Sequence, residues 1–231
     1  YRIGVDLGGT NIAVGVINEE LKIVGRGKVK TKCPRPAEEI FDDIAVAIEL
    51  AVKDAGISMD EVVSVGVGTP GSVNKATGYI EFANNLDFNK VPAKEMLEAR
   101  IHKTVYIDND ANCAALGEAV AGVGKGVSNF VAVTLGTGVG SGIIIGGKIV
   151  NGVNYAAGEM GHMVIVVDGE QCTCGRRGCW EQYASATGVV RCMKKLLDEN
   201  PDIPCTLRGI DFAAKDVFDA ARSRDALAAR G

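Results

Sequence analysis

Three features of this 231-residue sequence predict an α/β fold built from two related halves. Short β-branched runs, VVSVGVG at 62–68 and TVYID at 104–108, alternate with stretches of helical period. A strand, a threonine-bearing glycine turn and a second strand open the chain in RIGVDLGGTNIAVGVI and return in NFVAVTLGTGVGSGIII, which sets Val5-Asp6-Leu7-Gly8-Gly9-Thr10 beside Val133-Thr134-Leu135-Gly136-Thr137-Gly138. The length admits one large domain or two modest ones around a sizeable core.

The elements follow in order. The opening alternation, a polar break at Asn18-Glu19-Glu20 and then LKIVGRGKVK predict three consecutive strands in hairpin connection. Ile40, Ile44, Ala47, Ile48, Ala51 and Val52 recur at steps of three and four, so residues 36–55 read as an amphipathic helix ended by Gly56. The runs at 62–68 and 104–108 read as buried parallel strands, separated by a loop-rich segment and a short helical pattern near 92–100. Asp110-Ala111-Asn112 opens a helix through Ala121, with Asn109 or Asp110 as its cap. Phe130 to Val150 is apolar, but six glycines, Asn129, Thr134, Thr137 and Lys148 interrupt or flank it; it reads as strands with a tight turn at Gly146-Gly147 rather than a membrane span. Beyond residue 180 the pattern is helical over 184–199 and 213–228, broken at Pro201 and Pro204.

Composition narrows the function. Twenty-five basic against 29 acidic side chains give a net charge of −4, which with 47% hydrophobic residues disfavours both disorder and a polybasic nucleic-acid binder. The 30 glycines follow no collagen period and form no Ser-rich linker, so they serve particular backbone positions. Seven cysteines, four of them isolated (Cys33, Cys113, Cys192, Cys205), argue against a disulfide framework. With no secretory signal at the amino terminus, a reducing cytoplasm is expected.

Three constellations carry chemistry. In Asp6-Leu7-Gly8-Gly9-Thr10-Asn11 the glycines let backbone amides approach an anion while Thr10 and Asn11 add donors; a plain glycine hairpin is the alternative. Repetition at Gly136-Thr137-Gly138 favours two turns that clamp successive phosphates of ATP, and neither turn matches a P-loop or a dinucleotide fingerprint. Asn109-Asp110-Ala111-Asn112 places a carboxylate at a strand end, where Asp110 could collect the proton of an alcohol during phosphoryl transfer or simply cap the helix. The third is Glu159-Met160-Gly161-His162 followed by CTCGRRGC and Glu181: His162, Cys172, Cys174 and Cys179 make a closed Cys₃His set suited to structural Zn²⁺. Glu159 and Glu181 flank that loop and could accept bonds from vicinal sugar hydroxyls, or be merely solvated, and one nitrogen of His162 could face a ligand while the other binds metal. His102 reads as a surface residue.

DLGGTN, GTPG, NNL, NDAN, LGTGVGSGI, E-x-x-H and CTCGRRGCWE, in this order over essentially the whole chain, resemble the ROK family of sugar kinases and related repressors, with the glucokinases as the nearest branch. The resemblance implies an actin-like (ribonuclease H-like) two-lobed sugar-kinase fold with ATP and sugar in the cleft: an amino-terminal lobe over 1–110, and a carboxy-terminal lobe over 111–231 that carries the zinc loop and is incomplete. It makes Asp110 the base that withdraws the proton of the sugar 6-hydroxyl. It maps Asn85, Asn109, Glu159, His162 and Glu181 onto sugar contacts, Gly8, Gly9, Thr10 and Asn11 onto one phosphate segment and Gly136, Thr137 and Gly138 onto the other, with Asp6 near Mg²⁺. Two departures are visible. Asp87-Phe88 follows Asn85-Leu86 where glucokinases often carry a tryptophan, and the chain stops short of a typical member.

The resulting expectation is an ATP-dependent kinase for the 6-hydroxyl of glucose, with Mg-ATP and structural Zn, assembled as a homo-oligomer (dimer or tetramer) and without nucleic-acid or membrane partners. An N-acylhexosamine kinase is the enzyme alternative, decided by the room around Thr69 to Ser72 and Asn84 to Phe88. A sugar-sensing repressor lacking its DNA-binding segment is the non-enzyme alternative, disfavoured by the acidic balance and by a chain that starts directly in its first strand.

Overall fold

Period-two alternation of Val, Ile and Leu makes strands of the opening segment, and the computed structural model, which describes residues 1–230, shows three: β1 (Arg2–Leu7), β2 (Asn11–Ile17) and β3 (Ile23–Lys30). They pair antiparallel, Leu7 opposite Ile12 and Asn11 opposite Lys30. One face carries Ile3, Val5, Leu7, Ile12, Val14 and Val16, all buried beneath α1 (Ala37–Ala55), whose Ile40, Phe41, Ile44, Ala47, Ile48, Ala51 and Val52 face them. The contact is close because β3 offers glycine. A Cβ on Gly27 would stand 2.1 Å from the Ala47 carbonyl oxygen, and one on Gly25 2.4 Å from that of Ala51. Gly56 ends the helix in the left-handed conformation at φ 67°.

β4 (Ser64–Thr69) joins β1 in parallel. The stretch expected to be loop-rich instead contains a small antiparallel sheet, β5 (Ser72–Asn74), β6 (Tyr79–Ala83) and β7 (Phe88–Val91), in the order β5-β6-β7. These strands are too short and bulged to show a period; long-range burial of Val73, Ile80, Leu86 and Phe88 in the main core holds them. After α2 (Ala93–Ile101), β8 (Val105–Asn109) completes a five-stranded sheet of order β3-β2-β1-β4-β8, with β1, β4 and β8 parallel. α3 (Asp110–Ala121) follows without a break.

The second strand–turn–strand unit is β9 (Phe130–Leu135) and β10 (Val139–Ile145), extended by β11 (Lys148–Ile149) through Gly146 and Gly147, both at positive φ. The remaining helices are α4 (Glu181–Ala184), α5 (Ala186–Glu199) and α6 (Ala214–Arg222). The helix expected to run to 228 ends at Arg222, where the Asp225 carboxylate accepts bonds from the backbone of Thr206, Leu227 and Ala228 and turns the chain.

The chain separates into two compact units, Tyr1–Ala132 with Gly142–Ala157, and Val133–Ser141 with Gly158–Gly231. This partition differs from the expected lobes at 1–110 and 111–231, because α3 packs on β4 and β8 and stays with the first unit. The second unit has its own core of Met193, Leu197, Leu207, Val217, Ala220 and Leu227. The seven cysteines form no disulfide, and among the described residues no helix is long and apolar enough to cross a membrane.

Candidate functional site

In the first unit, the β1–β2 turn closes with the Gly8 N–H donating to the Asn11 carbonyl at 3.0 Å. Asn85 lies against it: a Cβ on Gly9 would be 3.3 Å from the Asn85 carbonyl oxygen. The Asn11 side-chain oxygen is buried without a hydrogen-bond partner, as a group awaiting a donor would be.

At the junction of β8 and α3 the two candidate caps divide the work. The Asn109 side-chain oxygen accepts the N–H groups of Ala111 at 2.9 Å and Asn112 at 3.2 Å, while its amide donates to the Gly71 carbonyl at 3.1 Å. Asp110 is thereby relieved of capping. One of its oxygens receives the Ala111 N–H at 2.8 Å, and the residue is exposed. Desolvation raises its pKa above the ordinary aspartate value, the Ala111 N–H opposes this, and the Asp6 charge adds to it; Asp6 is itself raised by desolvation. Replacing Asn109 by Ala should lower unfolding stability by about 1–2 kcal/mol in urea titration and loosen the backbone under Asp110.

Sequence reasoning missed what braces this corner. Asp108 forms an ion pair with Lys75 from the β5–β6 turn and accepts the Asn112 side-chain amide at 3.1 Å. Cys113 sits among Asp108, Asp110, Asp6 and Lys75; desolvation first, then the neighbouring carboxylates, push its thiol up to about 12, so it is no nucleophile at neutral pH. Lys75 and Asp108 carry no sequence signal, since turn lysines and strand-end aspartates are common. Phe88, at the position family resemblance leaves for an aromatic, is buried in the core and stacked on Phe41 at 6.4 Å between centroids.

In the second unit, the Gly136–Gly138 turn is held from below by the helix starts. The Gly136 carbonyl accepts the Ala186 N–H at 2.8 Å, the Thr137 carbonyl accepts the Thr187 hydroxyl at 2.8 Å, and the Glu181 carboxylate accepts the Val139 N–H at 3.0 Å. Gly138 leaves room for that carboxylate, because a Cβ there would lie 2.3 Å from the Glu181 oxygen. Glu181 therefore supports the glycine turn with one oxygen.

The four zinc candidates come together. Their ligand atoms all lie within 4.8 Å of one another, with His162 Nδ1 3.5 Å from Cys172 Sγ and Cys174 Sγ 3.6 Å from Cys179 Sγ. Thiolates about 2.3 Å from a tetrahedral zinc stand roughly 3.8 Å apart, so the donor set and its spacing fit the metal. His162 turns Nδ1 to this cluster and Nε2 to Glu159, 3.9 Å away. The Gln182 side-chain amide donates to Cys172 Sγ at 3.3 Å, an outer-shell contact of the kind that orients a ligand. The tight loop depends on Gly178, at φ 77°, where a Cβ would fall 1.6 Å from the Val166 carbonyl oxygen. Burial would raise the Cys174 thiol, but hydrogen bonds from Arg176 outweigh it and bring it down to about 6.

The family model described as ROK family matches residues 2–230. The chain is 46% identical over 200 residues to a glucokinase of Streptomyces coelicolor, covering 87% of this chain and 61% of that protein, and 38% identical to a glucokinase of Thermotoga maritima, covering 98% and 71%. Among solved structures, a ROK family glucokinase from Streptomyces griseus in complex with glucose and AMPPNP superposes with a TM-score of 0.81 at 40% identity, covering 99% of this chain and 73% of that one. The chain thus spans about three fifths of the length of the Streptomyces coelicolor relative.

Proposed function

The chain belongs to the ROK family, and from that premise we propose that it serves ATP-dependent phosphorylation of the 6-hydroxyl of glucose. The observation that carries this reading is Asp110: a carboxylate at a strand end, freed from helix capping by Asn109 and near enough to Asp6 for that charge to raise its pKa. Phosphoryl transfer asks for a positioned hydroxyl, compensated phosphate charge and a base for the departing proton.

Asp110 accepts the proton of the 6-hydroxyl as the hydroxyl oxygen bonds to the γ-phosphorus and the bond from that phosphorus to the β–γ bridging oxygen breaks, with ADP as the leaving group. Desolvation raises its proton affinity towards that task. Asn85 and Asn109 bond sugar hydroxyls in the first unit; Glu159, His162 and Glu181 are assigned the same role in the second by family resemblance. In the turns Gly8 to Asn11 and Gly136 to Gly138, the Gly8 and Gly136 N–H groups are spent on the Asn11 and Gly138 carbonyls, and the remaining backbone amides receive phosphate oxygens. Asp6 would hold Mg²⁺, which when bound neutralises phosphate charge. His162, Cys172, Cys174 and Cys179 would hold Zn²⁺, which supplies structure and no open ligand position. A homodimer or tetramer in the cytoplasm is part of the same proposal.

A coupled ADP-release assay over glucose, mannose, fructose, N-acetylglucosamine and N-acetylmannosamine tests it. Glucose should give the highest kcat/KM. Preference for an N-acyl sugar would reassign the substrate, and ADP release with none of the five would remove the kinase reading.

A further inference from the structure

Thr31, the residue after β3, is fully buried at 0% exposure although polar, and neither its type nor its position marks it in the sequence. Its hydroxyl donates to the Gly8 carbonyl at 2.6 Å and its N–H donates to the Thr10 carbonyl at 3.1 Å. Its own carbonyl accepts Arg35 Nε at 2.8 Å, and Arg35 in turn pairs with Asp43 and, at 3.8 Å, with Glu39 on α1. One residue thus ties two carbonyls of the β1–β2 glycine turn to the body of the first unit.

The peptide plane makes this tie directional. In a trans peptide the N–H lies opposite the preceding C=O, and the Gly8–Gly9 bond is trans. With the Gly8 carbonyl turned inward to Thr31, the Gly9 N–H points outward. Gly9 makes no hydrogen bond of its own among the described residues, so that donor stays available. Without the Thr31 hydroxyl, the peptide is free to rotate its carbonyl into the position an anion would take.

We infer that Thr31 is a positioning residue for nucleotide phosphate, acting through the Gly8 carbonyl to aim the Gly9 amide. The inference deepens the kinase reading and rests on its assignment of phosphate to the Gly8–Asn11 turn. The orienting role itself can be measured without nucleotide.

Thr31→Val keeps the shape and removes the hydroxyl; Thr31→Ser keeps the hydroxyl and removes the methyl. Hydrogen exchange of the 8–11 amides should rise in Thr31→Val and stay near wild type in Thr31→Ser. The KM for ATP, and the dissociation constant for MgATP by calorimetry, should rise about tenfold in Thr31→Val, with the KM for glucose and kcat changed less than twofold and Thr31→Ser restoring ATP affinity. If Thr31→Val does not fold, comparison of Thr31→Ala with Thr31→Ser isolates the same hydroxyl. Unchanged exchange and ATP affinity on loss of the hydroxyl overturn the inference, as does Thr31→Ser impaired as severely as Thr31→Val. Faster turn exchange in Thr31→Val, combined with a wild type that binds no MgATP, keeps the orienting role and rejects the phosphate assignment.

Discussion

Asp110→Asn is expected to lower turnover by about 10²–10⁴-fold, the range for removing a general base, while glucose affinity stays within a few-fold. The amide keeps the oxygen that accepts the Ala111 N–H and leaves the Asn109 cap intact, so the start of α3 should not move. The sign of the stability effect follows from the same carboxyl. Its pKa is raised in the folded state, by desolvation first and also by Asp6. The folded protein therefore holds this proton more tightly than the unfolded chain does, and the associated stability, present below the unfolded value, is lost as pH rises through the folded one. At neutral pH the carboxylate weakens the fold, and Asp110→Asn should leave the melting temperature unchanged or raised. In the wild type, kcat/KM should fall on acidification at a higher pH than an unperturbed aspartate would give, because only the deprotonated form accepts the proton. Unaltered turnover in Asp110→Asn would take Asp110 out of the mechanism.

Cys179→Ser is expected to abolish bound zinc, from one equivalent to none by elemental analysis, and to disorder residues 163–179 as read by limited proteolysis. Apart from the metal set, this segment is held by turn hydrogen bonds such as the Ile165 N–H to the Gly178 carbonyl at 2.9 Å and the Gly178 N–H to the Glu170 carbonyl at 2.8 Å. Met163, Val164, Ile165 and Val167 are exposed, and the regular backbone pairing consists of isolated bridges at Val164–Cys179 and Gln171–Arg177. Structural zinc supplies on the order of 10 kcal/mol in small peptides; if only ~3 kcal/mol of that is felt in this larger host, the melting temperature should fall by roughly 6–12 °C. Glu159 and His162 precede the segment and Glu181 follows it, joined through the Trp180 N–H to Met163 carbonyl bond of 2.8 Å, so glucose affinity should drop with the metal. Chelation of the wild type should reproduce both effects. A wild type that purifies without zinc and melts unchanged in chelator would show the four side chains to be metal-free.

What the sequence conveyed depended on how far apart the interacting residues lie. β1 to β3 and α1 were legible because period two and period 3.6 run for many residues over one buried face. β5, β6 and β7 were not, since strands of three to five residues hold few alternations and depend on Ile80, Leu86 and Phe88 meeting a core assembled from elsewhere. The Cys₃His cluster could be read because its four residues lie within 18 residues of chain, from His162 to Cys179. The division of labour between Asn109 and Asp110 could not be read, because either side chain can cap and only the backbone at Asn109, φ −61° and ψ 143°, decides it. Thr31, Lys75 and Asp108 act through tertiary contacts that leave no spacing to recognise.

The two side-chain-free positions in β3 have a consequence for anyone altering this molecule. At Gly25 and Gly27 only a hydrogen atom separates the strand from main-chain oxygens of α1, so even a methyl group there would push the helix outward at Ala47 and Ala51. Redesign of this face has to start from the loops at its ends, because at these two positions the layers leave no room for a side chain.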